Sequence, residues 1–289
     1  MGYAPAMRNL DQHTITESAL ERIAKCNNPR LKEVMIALIR HVHEFAREVN
    51  LTPDEWMAGI EFLTAVGHIT DDKRQEFILL SDTLGLSALV DILANRGKSK
   101  AATESSLLGP FFREGAPELA AGDNIARGIE GEPLMLSGRV TSTDGKPLSG
   151  AHIDVWQAST DGRYDLQFDN FKGAEMNLRA RFRTDGEGRY LIRTVKPSSY
   201  GVPSDGPVGK MLNALGRHPF RPAHIHFIIS ASGYRPLVTA LYIDGDKYID
   251  SDVVFGSREQ LVVKYRKGKA AEADAIEYDF VVEANSQSR

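Results

Sequence analysis

Cysteine is nearly absent: Cys26 stands alone in 289 residues, so no internal disulfide framework exists and the fold must rest on a hydrophobic core. A lone thiol suits a reducing compartment, and Cys26 itself reads as a small core hydrophobe. No basic cluster offsets the formal net charge of -4, which argues against nucleic acid or an anionic membrane surface as main partner and leaves a small ligand. No stretch approaches the roughly 18 uninterrupted apolar residues of a membrane span. Residues 1–13 hold no apolar run of signal-peptide length, and Ala6 stands where a myristoylation motif would want Ser or Thr. The expected compartment is the cytoplasm. A Gly-x-Ser-x-Gly elbow is missing too, so Ser-His-Asp hydrolysis has no support. What is present in quantity is apolar residue content, 42%, enough to bury a full core in one large domain or two modest ones.

The first third is helical in pattern. Leu31, Val34, Met35, Leu38, Ile39, Val42, Phe45, Ala46 and Val49 recur at three- and four-residue spacing, which places a broad apolar stripe on one helix face. His41 and His43 flank it and read as solvated. Thr52-Pro53-Asp54-Glu55 combines a capping-box pair with Pro at the first helical position, predicting a helix through Val66. A third helix is expected from near Thr70. The run from Phe77 to Leu93 is too apolar around its circumference for a surface helix, so a second domain or a second subunit must cover it.

Between Arg96 and Ser106 the chain turns polar, and the texture beyond it is short strands separated by turn signals such as Asp161-Gly162 and Asp185-Gly186-Glu187-Gly188. Strands are expected at 134–142, 151–157, 178–184, 189–194, 223–230, 237–243 and 276–283. Without intervening helices they imply an antiparallel sandwich. The predicted class is α+β: an antiparallel β-sandwich domain, 105–289, preceded by an α-helical domain and linker, 1–104. The connection 195–222, rich in Pro, Gly and Ser, is longer than a sandwich needs, and loops of that length are usually functional.

That loop leads into Gly216-Arg217-His218-Pro219-Phe220-Arg221-Pro222-Ala223-His224-Ile225-His226-Phe227. On a strand, His224 and His226 share a face with Cα atoms about 6–7 Å apart. The pair supports two readings, half a metal site or an ordinary packed strand. Tyr200 lies in the loop and Tyr164 follows the turn Asp161-Gly162-Arg163. A phenol binds metal as phenolate only where a strongly Lewis-acidic ion displaces its proton, and ferric iron is the natural candidate. Two phenolates and two neutral imidazoles leave Fe(III) with a net charge of +1, able to take an anionic, bidentate oxygen ligand. For Tyr190, Tyr234, Tyr242 and Tyr248 a packed aromatic with a bonded hydroxyl suffices. A cupin would want a Glu soon after the His pair, and Phe227-Ile228-Ile229-Ser230-Ala231 follows instead. A metal-dependent hydrolase barrel would alternate strands with helices.

Four stretches together carry a resemblance: Asp154-Val155-Trp156-Gln157-Ala158, Gly162-Arg163-Tyr164, Pro197 through Pro207, and Gly216 through Phe227. They resemble the intradiol ring-cleaving dioxygenases, and the likeness covers nearly the whole chain. The N-terminal helices are similar to the dimerisation domain of the catechol and hydroxyquinol branch. The resemblance implies one Fe(III) per subunit held by Tyr164, Tyr200, His224 and His226, with Arg221 as the active-site arginine. It implies an aromatic diol or triol bound through two adjacent hydroxyls, Tyr200 displaced to act as base, and O2 inserted to give a muconate-type diacid. It places Leu79, Asp82, Leu108, Gly109, Pro110, Phe111 and Val254 around the substrate, a homodimer through the N-terminal helices, and a lipid in the helical domain.

Ala240 stands where many catechol-type members have Gln. The segments 79–85 and 248–256 look more like the hydroxyquinol enzymes, so benzene-1,2,4-triol is the expected substrate, with catechol as the alternative. Asp82 supplies the physical reason, because a carboxylate facing an apolar pocket needs a donor and a third ring hydroxyl is one. A different class stays open as well, a non-catalytic module: Asp144-Gly145-Lys146-Pro147-Leu148-Ser149-Gly150-Ala151 followed by a strand also resembles carbohydrate- or surface-associated β-sandwich domains that bind no metal.

Overall fold

A short helix that the periodicity did not single out, α1 (Thr14–Arg22), precedes the long amphipathic α2 (Pro29–Glu48) in a computed structural model that describes residues 10–71, 74–169, 175–269 and 272–285. The chain divides into two compact units, residues 1–65 and 66–289. In the first, Asn28 caps α2 by accepting from Leu31 N at 3.0 Å, with Pro29 at the first helical position. His43, read as solvated, is half-buried and bonds Thr16 Oγ1 on α1 at 3.0 Å. The capping box opens α3 (Pro53–His68): Thr52 N donates to Glu55 Oε2 at 2.9 Å and Glu55 N to Thr52 Oγ1 at 3.3 Å. No residue of α2 is buried, and Leu38, Val42 and Phe45 are more than half exposed.

The helix expected from Thr70 onward is two. Thr70 instead bonds back to the Val66 carbonyl at 2.8 Å, and α4 (Glu76–Thr83) and α5 (Leu86–Ala94) follow, bent by 76° at Gly85, whose φ of +77° is left-handed. Among the described residues no single helix is long and apolar enough to cross a membrane.

The strands are β1 (Pro133–Ser142), β2 (His152–Gln157), β3 (Arg179–Arg183), β4 (Arg189–Val195), β5 (Tyr200–Gly201), β6 (Phe220–Arg221), β7 (His224–Ser230), β8 (Leu237–Ile243), β9 (Val262–Val263), β10 (Asp274–Glu277) and β11 (Phe280–Val282). One sheet has β1 between β4 and the successive pair β10 and β11; the other runs β3-β2-β7-β8-β9; β5 and β6 form a two-stranded ladder. The sandwich is mixed rather than antiparallel, because β10 and β11 run parallel to β1 and β9 parallel to β8. β9 and β10 arrive by long connections, which is what such pairing needs, and β11 follows β10 after two residues. The single strand expected at 276–283 breaks because Asp279 Oδ1 takes the Arg139 N–H at 2.7 Å in place of a backbone carbonyl. The loop 195–222 contains β5, the helix α6 (Pro207–Ala214) and β6.

Between the two sheets lies a core of Leu134, Leu136, Ile153, Val155, Phe182, Ile192 and their neighbours. On β7 it takes Ile225, Phe227 and Ile229; with a side-chain period of two, His224 and His226 then face the other way. Core packing thus fixes the register that aims the histidines, since a one-residue slip would exchange the faces.

Asp274, first residue of β10, is paired with Lys196 at 2.8 Å and accepts from Gly268 N at 3.0 Å and Lys267 Nζ at 3.1 Å. These partners, Lys196 foremost, hold its carboxyl well below the ordinary 3.8. A depressed folded-state pKa stabilises the fold above the unfolded-state value and is lost as pH falls toward the folded one. Asp274→Asn is therefore expected to lower the melting temperature at neutral pH and to flatten its decline below about pH 4. An acid limb parallel to that of the wild type would refute this.

Candidate metal centre

Tyr164 is placed by the residues after it. Asp165 is buried in a two-pronged ion pair with Arg179, one prong being Nε at 2.8 Å, and Arg113 joins at 3.1 Å. Arg179 also donates to the Phe111 carbonyl at 2.9 Å, and the Phe111 ring stacks on Tyr164 at 4.3 Å between centroids. Tyr164 is fully buried. Just before it, Gly162 has φ +81°, and a Cβ there would lie 2.8 Å from Tyr200 Cβ, so only glycine lets the two segments approach. Tyr200 is set opposite Arg221 by the β5–β6 ladder.

The Tyr164 and Tyr200 hydroxyls lie 3.4 Å apart, and the His224 and His226 Nε2 atoms 3.1 Å apart. His224 Nδ1 sits 2.7 Å from the Pro222 carbonyl oxygen, so Nδ1 carries the proton and Nε2 presents its lone pair. His226 is held differently, by parallel stacking on Trp156 at 4.8 Å, its neighbour across the β2–β7 pair. Burial, reinforced by Arg221, pushes both imidazoles well below 6.5 and keeps them neutral. Burial also raises the Tyr164 phenol well above 10. Among the described residues no three His, Cys, Asp or Glu side chains form a metal site. The donor set is instead two imidazoles and two phenols. Two neutral imidazole lone pairs beside two phenol oxygens fit a hard, strongly Lewis-acidic metal ion.

Arg221 borders this cluster. Its Nη1 lies 3.0 Å from His224 Nε2, while Nε and Nη2 donate to the two oxygens of Asp252 at 3.1 and 3.2 Å. Burial opposes the guanidinium charge, and Asp252, with Tyr200 and Tyr242 adding to it, more than restores it. Tyr242 Oη accepts from Arg221 Nη2 at 3.2 Å and lies 2.7 Å from Ser106 Oγ, which donates to the Gly256 carbonyl at 2.9 Å. Asp252 accepts as well from Val254 N and Gly256 N, at 3.3 and 3.0 Å, and so shapes the turn 252–256.

A small cavity of about 220 Å³ opens onto Tyr200 and Arg221. Of the residues expected around a substrate, Leu79, Asp82, Gly109, Pro110, Phe111 and Val254 line it. Leu108 does not: it is 41% exposed, and Leu107, buried, takes its place. Val202, Pro203, Leu166 and Gln167 line the cavity without having been expected there. Asp82 is buried, and burial raises its carboxyl while Ser87 and Arg221 oppose the shift. Asp252, Tyr242 and Ser106 were likewise missed; for Tyr242 a bonded hydroxyl was expected, but not that its partner is Arg221. A larger, open depression of about 990 Å³, lined by His218, Asp250 and Ser251 among others, contains none of the four donors.

Residues 107–284 match a family model described as "Dioxygenase", and 28–102 one described as "Catechol dioxygenase N terminus". The chain is 47% identical over 276 residues to the 6-chlorohydroxyquinol 1,2-dioxygenase of Cupriavidus pinatubonensis, covering 96% of this chain and 99% of that one. It is 46% identical to the hydroxyquinol 1,2-dioxygenase of a Rhizobium species, covering 89% and 86%. Among solved structures, hydroxyquinol 1,2-dioxygenase from Pseudomonas putida superposes with a TM-score of 0.90 at 45% identity, covering 95% of this chain and 99% of that one. Matches of this extent over both segments set aside the non-catalytic sandwich module. By its helical N-terminal segment, its mixed sandwich and these relatives, the chain belongs to the intradiol ring-cleavage dioxygenases.

Proposed function

We propose that the chain is a non-haem Fe(III) dioxygenase that cleaves hydroxyquinol, benzene-1,2,4-triol, with O2 to 3-hydroxy-cis,cis-muconate and its keto tautomer maleylacetate. The observation that carries this is the convergence of two imidazole Nε2 atoms and two phenol oxygens beside a cavity lined by both Arg221 and Asp82. Tyr164, Tyr200, His224 and His226 would hold the iron, one per subunit. When bound, Fe(III) supplies the Lewis acidity that favours the diol as its dianion and opens its ring to O2. Tyr200 Oη, at the cavity wall, receives a proton from one of the two adjacent substrate hydroxyls. Arg221, kept cationic by Asp252, stabilises negative charge on the bound ring. Asp82 accepts from the 4-hydroxyl, and Leu79, Leu107, Gly109, Pro110, Phe111 and Val254 exclude water around the ring. Ala240, opposite His226 across β7–β8, offers no side-chain amide, which weighs against catechol. Oxygen-electrode and product analysis of the iron-loaded chain tests the reading: consumption of one O2 per triol with formation of the ring-opened diacid is expected, and failure to consume O2 with either triol or catechol sinks it.

We also assign residues 1–104 to dimerisation and 105–289 to catalysis, with a lipid held by the helices and the cytoplasm as the working compartment. Exposure of Leu38, Val42 and Phe45 along α2, and of Leu86, Leu89 and Val90 on α5, leaves apolar area that a second copy would bury. Sedimentation is expected to return a dimer, and a 31.9 kDa species at micromolar concentration would contradict it.

A further inference from the structure

Arg217 belongs to the motif that carries the two histidines, yet it does not line the cavity. Its backbone is set by the end of α6, where Gly216 N bonds the Asn213 carbonyl at 3.0 Å and Arg217 N the Leu212 carbonyl at 2.9 Å, the paired bonds of a Schellman stop. From there the guanidinium reaches two elements at once. Nη1 donates to the Thr83 carbonyl at 2.5 Å and Nη2 to the Val253 carbonyl at 2.8 Å, and the group lies over the Phe255 ring at 5.0 Å. Phe255 in turn packs near Gly85, where a Cβ would be 3.3 Å from its ring.

The two carbonyls are not arbitrary. Thr83 is the last residue of α4 and follows Asp82; Val253 precedes Val254; Asp82 and Val254 both line the cavity. The Thr83 carbonyl is among those a helix leaves without a partner at its C-terminus, where a cation is also favoured by the helix dipole. At the other end of α4, Glu76 Oε1 accepts from Val208 N at the start of α6, 3.1 Å away. The helix that bears Leu79 and Asp82 is thus pinned to α6 at its start and to the segment following α6 at its end. A guanidinium is a rigid fork of donors and can hold two carbonyls in fixed relation, which an ammonium cannot.

We propose that Arg217 is a positioning residue that sets the separation of Asp82 from Val254, and with it the selectivity of the cavity between a triol and a simple diol. This rests on the substrate reading above. The test uses the full iron-loaded chain and the variants Arg217→Met and Arg217→Lys, with KM and kcat measured for benzene-1,2,4-triol and catechol beside the melting temperature and the visible absorption. Arg217→Met is expected to raise KM for the triol roughly tenfold, more than it lowers kcat, and to reduce the triol-to-catechol ratio of kcat/KM by a similar factor. Arg217→Lys, able to reach one carbonyl at a time, is expected between the two. A folded Arg217→Met with wild-type KM and ratio overturns the proposal, as does an effect confined to the melting temperature. If that variant does not accumulate in folded form, the same two outcomes are read from Arg217→Lys. A wild-type chain that turns over neither diol overturns the functional reading instead, before any variant is made.

Discussion

Tyr200→Phe is expected to change the visible absorption band of the iron-loaded chain and to lower kcat by about 10²- to 10⁴-fold, the range spanned by removal of a positioned proton acceptor. Tyr190→Phe is expected to leave both as they are. Charge transfer from a phenolate to Fe(III) absorbs visible light, so a tyrosine that binds the metal leaves a signature that a packed tyrosine does not. The two residues are matched controls, since both are buried. The Tyr200 hydroxyl faces that of Tyr164 at 3.4 Å and borders the cavity. The Tyr190 hydroxyl donates to the Tyr278 carbonyl at 2.7 Å, and its ring belongs to the core between the sheets. A colourless but fully active protein, activity restored by zinc alone, or an unaltered band in Tyr200→Phe would each refute the assignment.

Asp82→Ala is expected to erase the preference for benzene-1,2,4-triol over catechol in kcat/KM that the proposed function expects of the wild type. The carboxyl is buried in the cavity wall, and burial pushes its pKa up although Ser87 and Arg221 pull it down. A group so placed is costly without a donor, and the 4-hydroxyl of the triol provides one where catechol has only a C–H. A hydrogen bond to a charged group contributes about 1.5–3 kcal/mol, so the ratio between the two substrates should fall by roughly 10- to 150-fold. Asp82 is not turned to solvent, its exposure being 7%. Steady-state comparison decides it. Wild type preferring catechol ends the substrate assignment, and a variant with the wild-type ratio removes Asp82 from it.

Much of the centre was legible because it depends on short-range pattern. His224 and His226 two apart, followed by Phe227 and Ile229, state both the strand and its two faces. The Thr52 and Glu55 capping pair and the turn at Gly162 likewise carry their geometry locally. The unread features depend on partners far off in the chain. Helix α6 is eight residues long with Val208 and Leu212 as its buried apolar positions, too short for a periodic signal, and its N-terminus is capped by Glu76 rather than by a neighbour. Asp252 is one of many loop acids until Arg221 meets it. Nothing local says that β10 and β11 must pair in parallel with β1. Leu107 and Leu108 are chemically identical neighbours, and only the course of the backbone into Gly109, φ +72°, decides which of them turns inward.

The two tyrosines of the centre are mounted on unequal supports. Tyr164 is anchored through Asp165 and Arg179, stacked on Phe111 and fully buried, whereas Tyr200 sits on a ladder only two residues long. Local opening free energies follow the number of buried contacts and backbone bonds that must be broken. Under the proposed function, the tyrosine that takes the substrate's proton is the one carried by the lighter support, while its partner is the more firmly anchored reference beside it.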